Sequence, residues 1–101
     1  MKKIDSERKA AEKARGVLAL LSPTAAYADR IVHPLRLAAG VATNTASQET
    51  SGRKALNKIR GHGTEALNAV IGALQTRTLT HKIITSAQEA IDDWLAALDE
   101  V

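Results

Sequence analysis

KIRGHGTEALNAVIGAL (residues 58–74) decides how the chain is read. Two glycines flank His62 inside a pattern that is otherwise helical. Counted at about 100° per residue, Ile59, Gly63, Leu67, Val70, Ile71 and Leu74 all fall within about 60° of Leu56. The apolar stripe crosses Gly61 and Gly63 without slipping. Two independent helices have no reason to share that phase. The pattern therefore predicts one helix over about 52–76, bent near Gly61, although Thr64 has the chemistry of an N-cap and argues for a break. Two glycines cost ~2 kcal/mol relative to alanine in a helix. Gly63 falls on the inner face, where it would admit a close neighbour, and His62 points to solvent.

Three more helical stretches surround this one. Over 5–21, Ile4, Ala11, Ala14, Leu18 and Leu21 recur at helical spacing, with Asp5–Lys9 and Arg8–Glu12 as opposite charges one turn apart. Ser22 and Pro23 suit the cap and first turn of a second helix over 23–47. Its apolar phase, Tyr27, Ile31, Leu35, Ala38 and Ala42, survives Pro34, which predicts a kinked helix or two short ones sharing a buried face. The polar TNTASQETSG (43–52) predicts a frayed end and a loop. The last helix is capped by Thr80 and buries Ile84, Ala87, Ile91, Trp94 and Leu98, with Ile83, Ala90 and Leu95 widening the face. No segment alternates as a strand does. The expected fold is all-α: a compact four-helix bundle, one domain over 1–101, with kinked second (Pro34) and third (Gly61–Gly63) helices.

The composition excludes much chemistry. Among 101 residues there is no Cys and no Phe, and Tyr27 and Trp94 are the only aromatics. Without cysteine there are no disulfides and no thiolate nucleophile. The start, MKKIDSERKAAEKAR, is basic, but charges interrupt any apolar run, and no stretch reaches the length of a membrane span. Its basic face suits anionic lipid, yet it lacks a Trp or Phe for the boundary. These features predict a cytoplasmic protein with no membrane attachment.

Catalytic arrangements are missing from the sequence pattern. The serines sit at helix starts or in the polar loop, with no G-x-S-x-G elbow. No glycine-rich strand–turn–helix is present to hold phosphate. The carboxylate pairs Asp92–Asp93 and Asp99–Glu100 are adjacent and point apart on a helix. His33, His62 and His81 are far from one another, and His62–Glu65 supplies one pair where a bundle metal site needs two. No enzyme activity, cofactor or metal is expected.

Charge is the remaining signal. Up to Lys82 the chain holds 14 basic and 6 acidic residues; beyond it come Glu89, Asp92, Asp93, Asp99 and Glu100 with no base. A basic body and an acidic last helix suit each other as neighbours, or serve two partners. Arg53, Lys54, Lys58, Arg60 and His62 lie within ten residues with no acid among them. Lys54, Lys58 and His62, each four apart, form one exposed row, an electrostatic footprint for phosphate or for an acidic protein. No base-stacking aromatic lies in it. The first expectation is a protein-interaction module that binds a partner protein, with that row as its grip. A small basic nucleic-acid-binding regulator using the 53–62 row is the alternative. The apolar core is thin and the last helix is broad, which predicts a homodimer with Trp94 and Leu95 at the shared surface. In size and composition the chain resembles phage-encoded inhibitors and accessory proteins, including anti-CRISPR proteins and antitoxin-like regulators; no motif supports that resemblance.

Overall fold

The computed structural model describes residues 2–48 and 54–100. They form four helices and, among the described residues, no strand: α1 (Lys2–Leu20), α2 (Asp29–Gln48), α3 (Lys54–Thr76) and α4 (His81–Asp99). α1 packs against α2 and α4, and α3 packs against α2 and α4, so α1 and α3 face each other across a diagonal. The result is an elongated bundle of 41 × 21 × 20 Å.

The periodicities translate directly into the core. α4 buries Ile84, Ala87, Ile91, Trp94 and Leu98, the five residues of its apolar stripe. Thr80 caps it: its hydroxyl accepts from the Ile83 N–H at 3.2 Å, with extended backbone at φ −128°. α3 is continuous through Gly61-His62-Gly63, and buries Leu56, Gly63, Leu67, Val70, Ile71 and Leu74. Thr64 is therefore no cap. Its hydroxyl donates back to the Arg60 carbonyl at 3.1 Å, the bond a threonine inside a helix makes. α1 contributes Ala11, Ala14 and Leu18, all fully buried.

α2 departs from the sequence reading at its start. The Ala25 N–H donates to the Ser22 carbonyl at 3.0 Å, closing a single turn over 22–25 that does not propagate. The helix begins at Asp29, where the N–H groups of Ile31 and Val32 both reach the Ala28 carbonyl. Tyr27 therefore lies in the connection before the helix, 40% exposed, and not on its buried face. Pro34 is the sixth residue of an unbroken α2 and is itself buried. At the other end the helix stops at Gln48, within a residue of the expected bound, and stays helical through residues expected to fray. Thr43 and Thr45 donate their hydroxyls to the carbonyls of Ala39 and Val41 at 2.9 and 2.8 Å, absorbing their polarity within the helix.

α3 ends in a left-handed residue. Arg77 has φ 59°, and the Thr78 N–H donates to the Ala73 carbonyl at 2.9 Å. That six-to-one bond is the Schellman closure, in which glycine ordinarily takes Arg77's place.

Candidate functional site

The basic row assembles in part. Lys54, Lys58 and His62 are exposed on α3, four residues apart as expected. Arg53 lies outside the described residues. Arg60 is turned inward and only 3% exposed. Four residues from Leu56 and three from Gly63, it sits on the apolar stripe and not on the outer face. The row's neighbours are acidic as well. Glu65 is exposed on the same helix, and a recess between α3 and α4 brings His62 beside Glu89 and Asp93.

Arg60 is held by a residue 53 positions earlier. Glu7, on α1 across the diagonal, is 1% exposed and occupies the inner face one turn before Ala11. Arg60 Nε donates to Glu7 Oε2 at 2.7 Å and Nη2 to Oε1 at 2.8 Å, a bidentate fork. Arg60 Nη1 donates to Asn57 Oδ1 at 3.0 Å. Trp94 Nε1 donates to Glu7 Oε2 at 2.7 Å. One carboxylate thus gathers a guanidinium from α3 and an indole from α4. A Cβ at Gly63 would lie 3.5 Å from Trp94 Cε3, an ordinary contact, so the ring packs directly over this position of α3. Among the described residues no buried side-chain nitrogen or oxygen lacks a hydrogen-bond partner. The cluster is sealed and satisfied, and its chemistry is positional: it ties three helices together.

The same geometry corrects the expected interface. Trp94 is 0% exposed inside a single chain and cannot anchor a surface; Leu95 beside it is half-buried. The acidic helix is engaged internally too. Arg15 Nε donates to Asp92 Oδ1 at 2.8 Å, and Arg8 Nη1 donates to Asp99 Oδ1. Both arginines come from α1, so the basic body and acidic last helix complement each other within the molecule. The helical pairs proposed along α1 give way to these cross-helix ones for Arg8.

A second feature has no counterpart in the sequence reading. Where the 21–28 and 77–80 connections meet, at one end of the bundle, there is a cleft of about 880 Å³. Leu74 and Leu79, 2% and 7% exposed, line it together with Tyr27, Thr24, Gln75 and Arg77. Arg30, His81 and Lys82 are exposed at the same end, where α2 and α4 begin. Asp29 is the only acid among residues 21–30 and 75–84. The signal in the sequence was TRTLT (76–80): a helix end with no glycine to close it.

No family model, curated protein or solved structure matches the chain. Among the described residues no helix is long and apolar enough to cross a membrane, and no three His, Asp or Glu side chains converge as metal ligands.

Proposed function

We propose that this domain acts by binding a partner protein, as a small inhibitor or accessory factor of the kind phages encode, the anti-CRISPR proteins among them. The observation that carries the preference over nucleic acid is the inward turn of Arg60 onto Glu7. Phosphate binding draws on several cations in reach of one backbone, each neutralised phosphate adding to affinity and to its salt dependence. Here Arg8, Arg15 and Arg60 are engaged with Asp99, Asp92 and Glu7. Among the described residues the row presents Lys54, Lys58 and His62, with Glu65 on the same helix and Glu89 and Asp93 lining a recess with His62. An interspersed surface of this kind suits protein recognition better than a polyanion. Self-association would use other groups than Trp94; among the described residues the exposed large hydrophobic side chains are Leu20, Leu37 and Tyr27, 88%, 49% and 40% exposed.

The test is direct. The tagged full chain is used to capture partners from lysate with and without nuclease, and duplex DNA and RNA are titrated at physiological salt. A protein partner that survives nuclease, with duplex binding weaker than about micromolar, supports the reading. Tighter duplex binding that Lys54→Gln and Lys58→Gln weaken, with a smaller salt slope, would return the row to the nucleic-acid alternative.

A further inference from the structure

We propose that the cleft between the 21–28 and 77–80 connections is the docking surface, and that it takes an acidic, apolar-containing segment of a partner protein. The proposal deepens the protein-binding reading and rests on it. Three observations converge. The first is shape and lining: Leu74, Leu79 and the 40% exposed Tyr27 supply apolar groups, and Thr24, Gln75 and Arg77 supply polar ones. Recognition sites combine apolar side chains with a few polar groups that fix orientation. The second is charge. Arg77 lines the cleft, and Arg30, His81 and Lys82 stand on the same end of a rod about 20 Å across, against Asp29 alone. Among the described residues no carboxylate is bonded to Arg77 as Glu7 is to Arg60. The third is strain. Arg77 is the one non-glycine residue of positive φ among the described residues, at a helix end where glycine would fit without cost. Strained backbone persists where the side chain it carries is useful. A guanidinium in the lining of a cleft that mixes apolar and polar groups matches a carboxylate on a segment whose neighbouring apolar side chain enters the cleft.

The strain supplies the test, because one substitution moves fold and binding in opposite directions. The probe is a short fluorescein-labelled peptide of glutamate and aspartate with two leucines; its counterpart with lysine at every acid is the control. Each is titrated into the full chain, with amide chemical-shift mapping of the ¹⁵N-labelled protein. The acidic peptide should bind, the lysine peptide should not, and shifts should centre on Tyr27, Gln75, Arg77 and Leu79. Arg77→Gly should raise the denaturant midpoint while weakening peptide binding about tenfold or more. Tyr27→Ala should weaken binding and leave its salt dependence unchanged. If the acidic peptide does not bind, or binds Arg77→Gly as tightly as wild type, or shifts residues away from the cleft, the proposal is overturned. So it is if a duplex DNA oligonucleotide binds more tightly than the peptide with the same dependence on Arg77. In any of the first three cases, a partner retained after nuclease leaves the broader reading standing; loss of every protein partner removes both.

Discussion

At the scale of single residues, the Glu7 carboxylate is the group whose loss matters most. Burying an ion pair costs nearly what its attraction returns, but removing one partner strands the other. Glu7→Ala leaves the Arg60 guanidinium and the Trp94 N–H inside the bundle without their acceptor. It should destabilise by about 3–5 kcal/mol, read from the urea midpoint. Glu7→Leu combined with Arg60→Met removes both charges and should lose much less than Glu7→Ala. A double variant as unstable as the single would show that Arg60 is not held by Glu7. This cluster was half-legible. Glu7, Ala11, Ala14 and Leu18 follow one another at spacings of 4, 3 and 4, and Arg60 sits on the stripe of Leu56, Gly63 and Leu67. Each charge alone reads as a surface residue, because a charge is almost never fully buried unless paired. Only their pairing across 53 residues makes both positions interior, and spacing does not encode that.

At the scale of the helix, glycine has different meanings at two positions two residues apart. Nothing lies within 4 Å of a Cβ built on Gly61, so Gly61→Ala should gain about 0.5–1 kcal/mol of helix propensity. Gly63 faces the Trp94 ring, where alanine makes ordinary contact and Gly63→Leu overpacks, at about 1–3 kcal/mol. Thermal unfolding of the three variants separates these outcomes; a neutral Gly63→Leu would contradict the packing. The stripe across the glycines was legible because phase is counted, not inferred from propensity. The end of α3 was not. Glycine is the usual mark of a Schellman closure, and Arg77 carries none of it. Releasing that residue with Arg77→Gly should stabilise by about 1 kcal/mol. The start of α2 was misread for a related reason: Ser22-Pro23 suits a helix N-terminus and an isolated turn equally, and the turn at 22–25 closed without continuing.

At the scale of the molecule, charge sets which helices meet. Arg8 and Arg15 lie seven apart on α1; Asp99 and Asp92 lie seven apart on α4 in the opposite order. Two heptad-spaced pairs thus mark an antiparallel register, the internal complementarity that a basic body and an acidic tail suggested. Exposed pairs of this kind contribute at most about 1 kcal/mol each. α1 otherwise buries Ala11, Ala14 and Leu18, where α4 buries Ile84, Ile91, Trp94 and Leu98. A fully buried large aliphatic or aromatic side chain stabilises by roughly 1.5–3 kcal/mol, and an alanine by far less. Among the residues whose burial is described, α1 is therefore the helix with the least apolar packing. Its amides should exchange with deuterium through an opening smaller than global unfolding, while those of α4 around Ile91 and Trp94 exchange last. Equal protection in both helices would make the bundle a single cooperative unit.

Glu7 also gives the molecule an optical signature. Trp94 is the only indole in the chain, and its N–H points at a carboxylate bonded in turn to a guanidinium. Its emission should be blue-shifted while α1 is seated and should move to the red when α1 lifts, before α4 unravels. Because Tyr27 is the only other aromatic, the red shift is free of interference from any second tryptophan. Excited at its red edge, the untagged protein reports the seating of its own first helix with no dye attached.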